Sequence, residues 1–137
     1  MINVQSPLFL RRVLLADAAA GAASGLLLLL GAGMLEGLLN LPAALLQAAG
    51  ASLLPLAAFL AWLGTRKAPS RAAVWAVIAV NAMWVVESFY LLLSGWVAPN
   101  AAGQAFIVVQ ALAVAVLAEL EYFGLRELRK SPAAAAG

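Results

Sequence analysis

Asp17, Glu87, Glu119 and Glu121 fall inside long apolar runs of a chain that has no histidine and no cysteine. Without imidazole or thiol, the chemistry open to the chain is that of carboxylates, amides, hydroxyls and backbone carbonyls. Disulfides, thiol nucleophiles, His-ligated haem and most zinc chemistry are excluded. A metal site would have to be built from oxygen and take a hard cation; the expectation is no metal and no cofactor.

Glu87 is the sharpest single signal. It follows Arg71 by 16 residues and precedes Trp96 by nine, which places it within about one helical turn of a bilayer midplane. A charge at that depth costs at least a few kcal/mol, so it should face a bundle interior, pair with a polar group or be neutral. Depth matching offers Gln110 and Ser52 as partners, with Asn81 a little deeper. Asn81, Trp84 and Ser88 share one helical face, and Glu87 lies to its side, turned into the bundle or toward a second subunit. These residues can form a ligand or ion site, contact another protein, or tie helices together with hydrogen bonds of about 1 kcal/mol or less.

A second acidic group comprises Asp17, Glu119 and Glu121, with Tyr122 beside them. Glu119, Tyr122 and Arg126 recur at i, i+3 and i+7, so one face can carry carboxylate, phenol and guanidinium together. Paired carboxylates at one level could bind a cation or shuttle a proton. The blander expectation is that they snorkel to the interface and pair with arginines.

The elements that must hold these groups are long apolar helices. Of the 137 residues, 66% are hydrophobic and 10% charged, against roughly a quarter charged in soluble domains. Four runs, about Val13 to Leu35, Ala43 to Leu63, Ala72 to Leu93 and Gln104 to Gly124, reach the ~20 residues that a membrane crossing requires. Short connections between them predict an all-α, up-down-up-down bundle, one domain over 1–130, with 131–137 as a short flexible tail.

All eight Lys and Arg residues lie at one end of this pattern: Arg11 and Arg12, then Arg66, Lys67 and Arg71, then Arg126, Arg129 and Lys130. The connections around Glu36 to Pro42 and Trp96 to Asn100 carry none. By the positive-inside rule both termini are cytoplasmic, in a bacterial inner membrane. Arg11-Arg12 before an apolar run could mark a secretory signal, but this run is too long and contains Asp17. A net charge of +2, flanking the spans, suits anionic lipid headgroups and argues against nucleic acid.

Smaller features shape the expected packing. Gly21-Ala-Ala-Ser-Gly25 is a small-xxx-small stretch that belongs against another helix, within the chain in the first instance. Pro55 should kink or shape the second helix. The two halves echo each other weakly, Arg12, Gly37, Pro42 and Gln47 against Arg71, Gly95, Pro99 and Gln104, as a parallel duplication would.

Size and span count resemble those of the small multidrug-resistance exporters and the small fluoride channels, which are built as antiparallel dimers. Their essential first-span glutamate has no match unless Asp17 substitutes, and the one-sided charge opposes dual topology, so any homo-oligomer should be parallel. The first expectation is therefore a non-catalytic binding or accessory module, holding a lipid or quinone or serving a larger membrane complex. A small transporter or channel using Glu87 comes second. A lipid enzyme comes last, for want of a nucleophile and base.

Overall fold

The computed structural model describes residues 7–130; the tail expected at 131–137 lies outside them. Five helices follow in order: α1 (Pro7–Leu30), α2 (Ala32–Leu39), α3 (Ala43–Gly64), α4 (Arg71–Ser94) and α5 (Ala101–Lys130). No strand occurs among the described residues. Helices α1, α3, α4 and α5 are each long and apolar enough to cross a membrane.

The helix limits differ from the sequence reading in the first and the last apolar run. The first apolar run is not one helix from Val13 to Leu35 but begins at Pro7 and breaks at Gly31, leaving α2 as a short separate helix. A Cβ at Gly31 would stand 2.8 Å from the Leu27 carbonyl oxygen, so the chain bends there through the smallest residue. Proline at the first helical position loses no hydrogen bond, which allows the early start. The last helix runs on past Gly124 to Lys130, because Leu, Arg and Glu are good helix formers in water as well as in lipid.

Local chemistry fixes the other ends. The Ser70 hydroxyl accepts from the Ala73 N–H at 3.3 Å and caps α4, and Gly95, at φ 76°, ends it in the left-handed conformation. Glu36 Oε2 accepts from the Ala43 N–H at 2.6 Å, placing a carboxylate at the start of α3, where the helix dipole favours it. Pro55 lies on an exposed face within an unbroken α3.

Packing divides the molecule into two helix pairs. Helix α1 lies along α3 and α4 along α5, while α1 and α5 join the pairs and α3 barely meets α4. The small-residue stretch of α1 is used within the chain: a Cβ on Gly50 of α3 would approach the Gly25 oxygen to 2.6 Å and the Leu29 nitrogen to 2.8 Å. Close backbone approach of this kind is how helices gain dispersion energy in lipid.

Two apolar clusters close the ends. One draws Leu10 and Leu14 from α1, Leu60 and Leu63 from α3, Val74 and Val77 from α4, and Leu125 from α5. At this end Arg11 Nε donates to the Gly64 carbonyl and Arg71 to the Leu125 carbonyl. The other gathers Leu28, Ala32, Leu35, Leu39, Leu41, Leu46 and Ile107, with no fully buried residue from α4. There the loops are tied reciprocally, Asn40 Nδ2 donating to the Ala98 carbonyl and Asn100 Nδ2 to the Leu38 carbonyl.

Candidate functional site: a polar interior and a lateral cleft

Three inward stripes bring the polar groups together. On α1, Leu10, Leu14, Asp17, Gly25 and Leu28 fall on one helical face; on α4, Val74, Val77, Asn81 and Ser88 do so; on α5, Ile107, Ala111, Glu121 and Leu125 do so. Each polar member replaces an apolar residue at a core position. It is carried inward whatever its preference for water.

Asp17, Asn81 and Glu121 meet where the stripes converge. The Asn81 Nδ2 group donates to Asp17 Oδ2 and to Glu121 Oε1, both at 2.9 Å. Asp17 is 6% exposed and Glu121 0%. The second Glu121 oxygen, Oε2, is buried without a hydrogen-bond partner. Neither carboxylate snorkels to an arginine; Arg11 and Arg71 are directed at backbone carbonyls instead. Counting along the helices, the cluster lies about 8 to 15 Å from Arg12, Arg71 and Arg126.

A second polar set follows on α4 and α5. Trp84 Nε1 donates to Gln110 Oε1 at 2.7 Å, and Gln110 Nε2 donates to the Ser88 hydroxyl at 3.0 Å and to the Ile107 carbonyl at 2.8 Å. The Ser88 hydroxyl donates to the Trp84 carbonyl at 2.7 Å. Every polar side-chain function in this set is therefore engaged.

Two cavities flank Trp84 and Gln110. A central one of about 120 Å³ is lined by Asp17 and Asn81 together with α1, α3 and α5 side chains. A larger one of about 420 Å³ opens sideways between α3 and α4, where these helices fail to pack. Its walls include Leu45, Leu46, Leu91 and Ile107, and its polar lining is Ser52, Glu87, Ser88 and Gln110, with Trp84, Tyr90 and Trp96.

The structure thus separates residues that depth alone had grouped. Glu87 is exposed on the cleft side and not in the bundle core, and no hydrogen bond or ion pair reaches it among the described residues. Ser52 lines the same cleft and donates to the Ala48 carbonyl of its own helix. Asn81 is at neither Glu87 nor Gln110 but at the deeper acidic pair. Gln110 and Ser88 bond to each other.

The acidic group is rearranged as well. Glu119 is exposed, and Glu121 takes the inward place; two residues along a helix turn a side chain by about 200°. Tyr122 is 39% exposed and packs its ring edge-on to Trp75 and Phe123, at 5.8 and 5.6 Å, with no hydrogen bond to Glu119 or Arg126 among the described residues. Sequence reasoning counted Glu121 in the acidic group but gave the paired face to Glu119, and it set Trp84 on the Asn81 face without a role of its own. The signal was present for Glu121: it continues the Ile107, Ala111, Leu125 register, and Glu119 does not.

These features define a multi-pass, all-helical membrane protein with a polar core. Comparison of the chain with protein-family models, with curated proteins and with solved structures finds no match.

Proposed function

We propose that this chain is a small, non-catalytic binding module of a bacterial cytoplasmic membrane. In this reading it is an up-down-up-down bundle with both termini in the cytoplasm, which its one-sided arginines and lysines support. It takes a lipid-like amphiphile with a cationic amine head into the cleft between α3 and α4. The observation that carries the reading is that cleft, about 420 Å³ and open sideways, within the ~300–1,000 Å³ range of small-molecule sites. Glu87 supplies a carboxylate with no partner of its own among the described residues, and Trp84, Tyr90 and Trp96 line the same space. Carboxylate plus aromatic faces is the chemistry that recognises an organic cation, and the leucine walls suit an alkyl chain.

The test is binding of dodecyltrimethylammonium, followed through tryptophan fluorescence in lipid nanodiscs, against dodecyl sulfate as the anionic control. The cationic probe should bind, Glu87→Gln should weaken it about tenfold or more, ~1.4 kcal/mol, and Ala49→Trp should abolish it by filling the cleft. Equal binding of both probes, unaffected by Glu87→Gln, would overturn the reading.

The second reading is a transporter or channel subunit in a parallel oligomer, with Glu87 facing a neighbouring copy. Val86, next to it, is 68% exposed, which favours such a contact. Rapid cross-linking of Val86→Cys between copies in native membranes, with loss of amphiphile binding on dilution to monomer, would select this reading over the first.

A further inference from the structure

We propose that Asp17, Asn81 and Glu121 form a buried site for one exchangeable proton, held between two carboxyl groups that a single amide bridges. The site lies apart from the α3–α4 cleft and does not depend on what the cleft binds.

Three observations converge on it. Asn81 spends both amide hydrogens on the pair, one on Asp17 Oδ2 and one on Glu121 Oε1. Glu121 is 0% exposed, yet its Oε2 has no hydrogen-bond partner. A buried carboxylate oxygen left bare loses its water without gaining a hydrogen bond, and an added hydrogen on that atom turns an orphaned acceptor into a donor. Finally, Asp17 and Asn81 line the central cavity of about 120 Å³, room enough for water by the ~10–15 Å³ that one molecule needs.

Among the described residues the surroundings supply no other countercharge. Helix α1 contributes Asp17, α4 the uncharged Asn81, and α5 Glu121; α3 presents Leu56, Ala57 and Leu60 to the adjoining cavity. Arg11 and Arg71, at the near end of the bundle, donate to the Gly64 and Leu125 carbonyls. Two like charges meeting across one amide in an apolar span are mutually repulsive, and a proton is the cation that fits. An alkali or divalent ion would need five or more oxygen ligands, whereas the Asn81 group turned toward the carboxylates is an N–H donor. On loading, a hydronium in the cavity releases its proton, an O–H bond forms at the carboxyl pair, water remains, and the net charge of the pair falls from −2 to −1.

Infrared spectroscopy of the whole protein in lipid tests this directly. At neutral pH the spectrum should contain the C=O stretch of a protonated carboxyl that shifts in D₂O, shifts again on side-chain ¹³C labelling of aspartate and glutamate, and persists in Glu87→Gln and Glu119→Gln. The band should vanish in Glu121→Gln. Labelling of the unsubstituted protein keeps the test valid if that variant does not fold. A spectrum without such a band, a band lost in Glu87→Gln instead, or a band removed by sodium at constant pH and ionic strength would each overturn the proposal.

Discussion

Asn81 donates two hydrogen bonds and both end on carboxylates from other helices, so one side chain links α1, α4 and α5. Replacing it by leucine leaves Asp17 and Glu121 facing each other with no donor between them. Bonds to charged groups contribute about 1.5–3 kcal/mol each; Asn81→Leu should therefore lower the unfolding free energy by roughly 2–4 kcal/mol, read from denaturant titration in mixed micelles. Ser88→Ala should cost under about 1 kcal/mol by the same measurement, the usual size of an interhelical hydrogen bond in lipid. A larger loss for Ser88→Ala than for Asn81→Leu would reverse this ranking. Residue identity alone made Asn81, Ser88 and Gln110 visible in the sequence. Their pairings were not, because depth along a helix leaves the angle around its axis free, and that angle decided between Glu119 and Glu121.

At the scale of elements, the long helices were legible because apolar length, proline and charge mark their limits independently. The break between α1 and α2 was not: Gly31 stands in a leucine-rich run with no proline or charge beside it, and only its backbone angles, φ −100° and ψ 12°, distinguish it from a glycine inside a helix. The same ambiguity covers every small residue here, and substitution resolves it. A Cβ on Gly50 would come within 2.6 Å of the Gly25 oxygen, whereas a Cβ on Gly33 meets nothing within 4 Å. Gly50→Ala should separate α1 from α3 and destabilise by about 1–3 kcal/mol, as overpacking does. Gly33→Ala in α2 should be neutral or stabilise by up to ~1 kcal/mol through helix propensity. Thermal unfolding of the two variants side by side checks both signs.

For the whole molecule, the eight basic residues and four apolar runs alone set out a four-span arrangement. The division into an α1–α3 pair and an α4–α5 pair was beyond that reading, since Ala- and Leu-rich surfaces pack against one another with little sequence preference. The proposed orientation has its own test. Ala98→Cys should react with a membrane-impermeant maleimide on intact spheroplasts, and Lys67→Cys should react only after permeabilisation; the opposite pattern would invert the protein in the membrane.

The gap between α3 and α4 also bears on how any occupant arrives. In the proposed membrane orientation its mouth would face the surrounding acyl chains, so a molecule dissolved in the bilayer would reach Glu87 by lateral diffusion without passing through water. Occupancy would then follow the mole fraction of that molecule in the membrane and not its aqueous concentration. Diluting the protein with inert lipid at fixed total ligand would empty the site, while diluting the vesicles with buffer would leave it filled.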